Sequence, residues 1–237
     1  MPEIGPSRRW RVGVLIESSR AYGRGLIEGA ARYAREQGTW SLSFEPRGLE
    51  APPPWFANWV GDGILARFPT PQMAAAVLAK RLPVVDLWGS LPPWHAPMVA
   101  GDNEQIARLA FEHLQERGLR RFAFCGPVRG SSSFLDLRGE AFRRQAAAAG
   151  SRCDMLFLTE REWSAADWEL EQRRIAAWLD GLSRPVGILA GYDELACQVM
   201  NVCQQCGLRV PEEVAVVGVG NDPVLCELST PPLTSID

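Results

Sequence analysis

Apolar runs of strand length alternate with longer amphipathic stretches along almost the whole chain. Residues 11–16 (RVGVLI) form an unbroken apolar run, the pattern of a parallel strand buried on both faces. A polar turn follows at Glu17-Ser18-Ser19-Arg20. Residues 21–38 then place Leu26, Ile27, Ala30, Ala31, Tyr33 and Ala34 at helical spacing, and Gly38 ends the helix. Residues 40–44 (WSLSF) alternate like a second strand. The pattern goes on to predict strands at 63–68 and 83–87 and a helix at 71–80 with Pro71 near its start. Further along it predicts strands at 121–125, 153–158, 186–190 and 214–219, and helices at 134–149, 165–182 and 193–206. In the long helix, Ile175, Trp178 and Leu179 point inward. The regular alternation makes the class α/β, with parallel sheets flanked by helices.

The stretch 97–126 divides the pattern. It reads as a strand at 98–100, a turn at Gly101-Asp102-Asn103, a helix over 103–117 stopped by Gly118, and the strand at 121–125. Strand–helix units lie before it and after it. The expectation is a crossing point between two lobes, 10–101 and 102–237, with the working site in the cleft between them. Parallel sheets place ligands beyond the carboxyl ends of their strands. The turns at 17–22, 67–70, 86–95, 101–104, 126–138, 159–164, 191–193 and 220–223 therefore become the places to look.

Composition narrows the chemistry. Of 237 residues, 46% are apolar and 22% charged, and the net charge is −3, so no basic surface points to nucleic acid within this chain. The first ten residues lack the apolar core of a signal peptide, and no apolar run nears the ~18 residues of a membrane span. The six cysteines sit in strand or helix runs, which suggests reduced thiols in a cytoplasmic protein. Cys203 and Cys206 form a C-x-x-C late in a helix, the wrong place for a redox or zinc motif. With only His95 and His113 present, neither in a motif, no metal and no nucleophile–histidine–acid set is expected. Lys80 is the only lysine, and Gly23, Gly25 and Gly29 miss the dinucleotide spacing. Cofactors and enzyme chemistry are therefore disfavoured.

The turn residues suit a polyol. Neighbouring hydroxyls donate and accept together, and carboxylate, amide and guanidinium groups hold such pairs with two bonds each. An aromatic ring covers the C–H face of a sugar. The turns supply Ser18, Arg20, Asp86, Arg138, Asp193, Asn221 and Asp222, with Tyr22, Trp88, Trp163 and Tyr192 as faces. Asp102 and Asp193 are also plausible helix caps. Residues 46–60 read as a proline-rich loop leading into a short helix, and the apolar surface of the first lobe, including this loop with Trp55 and Trp59, is the candidate dimer contact.

Four segments in order carry a resemblance: DNEQIARLAFEHLQERGLRRFAFCG, LRGEAFRRQAAAAG, GILAGYDELACQVMNVCQQCGLRVPEEVAVVGVGND and TPPLTSID. Together they look like the lactose/galactose-repressor family and the related periplasmic sugar-binding proteins. The N-terminal half, VGVLIESSRAYGRGLIEGAARYAREQGTWSLSFEP and WVGDGILARF, resembles the xylose operon regulators. In that subgroup a sugar-binding domain precedes an AraC-type helix-turn-helix domain.

The resemblance implies a two-lobed, periplasmic-binding-protein-like fold. It implies that Arg138 binds the effector, that Trp163 stacks on it, and that Asp193 belongs to an Asn-Asp pair whose asparagine is here Tyr192. It places Asn103 beside a hinge, where it is a candidate contact to the effector. The family's usual aspartate stands where this chain has Gly220. Either Asn221 and Asp222 take over its grip or the sugar specificity has changed, and the second is favoured. The implied function is sugar-driven lobe closure, a pentose such as xylose being the candidate effector, which alters DNA binding by a homodimer. The rest of the sugar-binding domain and the DNA-binding domain are expected downstream of residue 237. A stand-alone sugar-binding receptor is the alternative.

Overall fold

A computed structural model describes residues 9–46, 51–68, 70–87, 96–130, 132–158 and 165–237. The chain divides into two compact units, Met1–Ala100 and Gly101–Asp237.

The first unit runs β1 (Trp10–Leu15), α1 (Ala21–Gln37), β2 (Trp40–Ser43), a single 3-10 turn (Pro54–Phe56), β3 (Gly63–Ala66), α2 (Pro71–Ala79) and β4 (Val84–Asp86). The sheet order is β2-β1-β3-β4, all parallel. Alternate strand residues point to opposite faces, which sorts the core into two layers. On one face Leu15, Ile64 and Ala66 meet Phe56, Trp59, Phe68, Met73 and Val77, all buried. On the other, Val14, Ile16 and Leu87 are buried, while Leu26, Ile27, Leu42, Leu65 and Val85 are only partly covered. Among the described residues, α1 is the one helix over this second layer, and only Gly23 of its 17 residues is buried. Helix α2 begins as its sequence suggests: Pro71 is in the first turn, and the Met73 N–H donates to Thr70 Oγ1 at 3.2 Å.

Trp59 is not a surface residue. It is 8% exposed, its ring stacks on Phe56, and its indole N–H donates to Ser43 Oγ at 2.9 Å. The slot that takes it is made by glycines. A Cβ at Gly13 or Gly61 would stand 3.0 Å or 2.0 Å from the indole ring. The expected dimer surface thus loses Trp59 to the core, and Trp55 packs half-buried against the same layer. The strand expected at 98–100 reduces to a single bridge, Met98 beside Asp86, closed by backbone bonds from Asp86 to Pro97 and from Val99 to Asp86.

The second unit runs α3 (Asn103–Glu116), β5 (Phe122–Gly126), α4 (Ser133–Ala148), β6 (Cys153–Phe157), α5 (Ala165–Gly181), β7 (Val186–Ala190), α6 (Asp193–Gln205), β8 (Val214–Val219), α7 (Pro223–Leu228) and β9 (Thr234–Ile236). The order is β6-β5-β7-β8-β9, again parallel throughout. Both faces are closed. Helices α3 and α4 cover one layer with Phe111, Phe122, Phe124 and Phe142, and α5 and α6 cover the other with Ile175, Leu179, Ile188 and Val199. Burying a side chain of this size contributes roughly 1.5–3 kcal/mol. Trp178 lies partly buried against the second layer, in the inward direction that its spacing predicts. The elements α7 and β9 have no counterpart in the hydrophobic pattern. All six cysteines are free thiols, and burial pushes the Cys203 thiol up to about 12.

Candidate functional site

Both sheets share one topological feature. The chain builds outward from its first strand in one direction, then reverses. In the first unit the reversal falls between β1 and β3, and in the second between β5 and β7. The carboxyl ends of the strands at such a reversal form the natural ligand crevice of an α/β sheet.

In the second unit a guanidinium occupies that place. Arg138, on α4, is 5% exposed. Its Nε donates to Asn103 Oδ1 at 2.9 Å and its Nη1 donates to the Gly191 carbonyl. Gly191 itself donates to the Cys125 carbonyl at 2.8 Å, which ties the ends of β5 and β7 together. Asn103 donates in turn to the Phe134 carbonyl at 2.6 Å, and the Phe134 ring lies 5.6 Å below the guanidinium. Residues 35 and 53 positions apart thus share one cluster. Asp102 acts as the cap of α3, accepting from the Glu104 and Gln105 N–H groups at 3.0 and 3.1 Å.

A second cluster surrounds Asp193, which is 2% exposed. Its sequence reading as a cap is corrected. Tyr192 holds the cap position of α6 without a side-chain bond, and Asp193 lies inside the first turn. Its carboxylate takes the Asp222 N–H at 2.8 Å and the Ser235 hydroxyl at 2.5 Å. Ser235 Oγ also accepts the Asn221 N–H at 2.9 Å, and the Gly220 N–H donates to the Ile236 carbonyl at 2.8 Å. Asp193 thereby fastens the β8–α7 turn to β9. Burial raises its pKa, offset in part by the bonds from Ser235 and Asp222. The glycine at position 220 fits this arrangement. Its φ is +126°, and a Cβ there would stand 3.2 Å from Asp193 Oδ2. Asp222 caps α7 through the Val224 N–H at 3.0 Å, and Asn221 is exposed. Tyr192 leans half-buried on the core.

In the first unit, Ser18, Arg20 and Tyr22 lie in and after the β1–α1 turn. The Ser18 carbonyl accepts from Arg24, and Arg20 is the cap residue of α1. Asp86 ends β4 in register with Ala66, one residue before Arg67. The residues that the sequence reading missed here are Glu17 and Arg67, a buried ion pair, with the Arg67 guanidinium 5.1 Å over the Tyr22 ring. Each is the first charged residue after an apolar strand run, which is the signal that was available. Ser235 was missed in the second unit because three residues after two prolines show no period. Trp88 and Trp163 lie outside the described residues.

Among the described residues no group of three His, Cys, Asp or Glu side chains is placed to hold a metal. No described helix is long and apolar enough to cross a membrane.

Two parallel sheets of reversing strand order, each with buried polar groups at its strand ends, define the class. The chain belongs to the periplasmic-binding-protein-like family, whose model matches residues 111–237. Residues 11–104 match the XylR N-terminal domain. The xylose operon regulatory protein of Escherichia coli K12 is 31% identical over 97% of this chain, and the match takes in 59% of that protein. Its counterpart in Haemophilus influenzae is 28% identical over 96% of the chain and 60% of its own length. The chain therefore spans about three-fifths of these relatives. A solved structure of the xylose-binding transcription activator XylR superposes with a TM-score of 0.76 at 29% identity, covering 91% of this chain and 55% of that one. A LacI-family regulator from Mycobacterium smegmatis shares the fold, with a TM-score of 0.75 at 21% identity over 95% of this chain and 83% of that one.

Proposed function

We propose that this chain is the effector-binding part of a transcription regulator, and that its effector is a sugar, with a pentose such as xylose the first candidate. The observation that carries the reading is Arg138, buried and held by Asn103 and Gly191 at the strand reversal, in a chain 31% identical to a xylose operon regulatory protein and similar in structure to a xylose-binding transcription activator. A guanidinium carries five N–H donors, the type of group that holds adjacent hydroxyls. Sugar binding acts on regulation only through its difference in affinity for two forms of the protein. DNA contact through an AraC-type domain, homodimerisation and action in the cytoplasm belong to the same proposal.

Calorimetric titration with a panel of pentoses and hexoses tests it. Saturable heat without turnover is the expected result. Arg138→Ala should abolish binding. Arg138→Lys, which keeps the charge but loses the fork, should weaken binding and leave the fold intact. Absence of binding by every sugar in the panel overturns the reading.

A further inference from the structure

The free thiols have no part in the sugar-binding reading, and two of them meet where α6 packs on α7. The two helices are joined at their starts, because the Asp222 N–H donates to Asp193 Oδ2 at 2.8 Å. Four residues on, about one helical turn, stand Cys197 and Cys226. The Cys197 thiol donates to the carbonyl of Leu225, the residue before Cys226, at 3.6 Å, and accepts from the Ser229 hydroxyl at 3.3 Å. The Cys226 N–H donates to the Asp222 carbonyl at 2.9 Å and its own carbonyl accepts the Leu233 N–H at 2.9 Å, so its backbone is fixed on both sides. Both side chains are half-buried against the same core layer. The other thiols differ. Cys125 and Cys203 are shut in the core, Cys206 is exposed at the end of α6, and Cys153 lies against the opposite layer.

Burial is the main cause that pushes the Cys226 thiol up to about 11, with Asp193 and then Cys197 adding to it. Burial also raises the Cys197 thiol. Both react slowly near neutral pH, since the thiolate is the nucleophile. Proximity works the other way: once one sulfur is oxidised, the second is already held on the neighbouring helix.

We propose that Cys197 and Cys226 form a reversible disulfide that ties α7 to α6, made by exchange with a low-molecular-weight disulfide such as oxidised glutathione. The Cys226 thiolate attacks one sulfur of that disulfide and forms a mixed disulfide, and the departing thiolate takes up the proton that Cys226 lost. Cys197 then gives up its proton, attacks the Cys226 sulfur and releases the second small thiol. Two protein thiols are oxidised, and one small disulfide is reduced to two thiols. The new bond lies one turn below the Asp222–Asp193 contact and holds the β8–α7 turn, with Asn221 and Asp222, against α6. The tether stiffens that turn whichever effector the chain binds.

The test incubates the 237-residue chain with oxidised glutathione, blocks the remaining thiols and maps the fragments without reduction. Cleavage after methionine and arginine, at Met200 and Arg209 among others, puts Cys197, the Cys203–Cys206 pair and Cys226 on three separate fragments. The Cys197 and Cys226 fragments should be joined, and dithiothreitol should part them. In hydrogen exchange the Asp222 and Cys226 amides should be about tenfold or more slower in the oxidised chain. Cys226→Ser should remove the link and Cys206→Ser should leave it. Melting curves report folding, and the wild-type map decides the matter by itself if a variant is unstable. Unreacted thiols at both positions, a glutathione adduct left on Cys226 with no link, or a link to the Cys203–Cys206 fragment overturns the tether. Exchange rates unchanged within about twofold in the linked chain overturn it as well.

Discussion

The two units share a strand order and differ in how completely their sheets are covered. In the second unit two helices close each face, and both layers hold large side chains with almost no exposure. In the first unit one layer is equally dry, but over the other, among the described residues, α1 is the one helix across four strands. A groove of about 910 Å³ in this unit takes its lining from both layers, with Leu65 and Val85 from one and Ile64, Leu82 and Val84 from the other. Parallel sheets are normally covered on both faces. Stability within this chain is thus uneven. It concentrates in the second unit and on the Trp59 side of the first.

The largest effect expected from that contrast is at Trp59. Trp59→Ala removes the filler of a slot whose glycine walls cannot close in, and should cost about 3–5 kcal/mol in denaturant melts. A loss below about 1 kcal/mol would mean that this layer is as loosely held as the α1 side. Next comes Asp193→Ala in the second unit. It leaves the Asp222 N–H and the Ser235 hydroxyl without their acceptor and should cost about 1–3 kcal/mol.

The same carboxylate gives a pH signature. Its folded pKa is raised by burial, so the native form holds the proton more tightly than the unfolded chain. Its contribution therefore falls as pH rises from the unfolded carboxyl value through the raised folded value, then stays level. In Asp193→Asn this fall should be missing from urea midpoints as pH rises above the usual carboxyl range. Hydrogen exchange sharpens the contrast at smaller scale. Amides of α1 and β2 should exchange at least about tenfold faster than those of α6 and β7, and equal protection would erase the difference between the units. Smallest is the exposed α3 pair Arg108–Glu112, at 2.8 Å with both side chains nearly half exposed. Arg108→Ala should move stability by under about 0.5 kcal/mol.

The strands at 186–190 and 214–219 were legible to the residue, because a strand buried on both faces writes itself as an unbroken apolar run. Four helix ends were marked by Gly38, Gly118, Gly150 and Gly207, all at positive φ. The elements α7 and β9 escaped because six and three residues are too few to show a period. Asp222-Pro223 nevertheless carried a helix-start signal. Most of the second-unit cluster was legible as residue types, but its wiring was not. Asp193 was read as an effector ligand with capping as the alternative, and its bonds to Asp222 and Ser235 were invisible because these lie 29 and 42 positions away. Glu17 and Arg67 were passed over for a similar reason: each alone reads as a charged turn residue, and their meaning arises only when β1 and β3 pair. Trp59 was assigned to an apolar surface because it follows a proline-rich loop, while one wall of its slot, Gly13, comes from the first strand.

That slot couples two positions as a single heritable unit. Lineages that enlarge Gly13 must first shrink the indole, and lineages that shrink the indole open a void until Gly13 grows, whereas Gly61 stays locked by the Arg11 carbonyl as well. Each route passes through a weakened intermediate, so Gly13 and Trp59 should be inherited or replaced together.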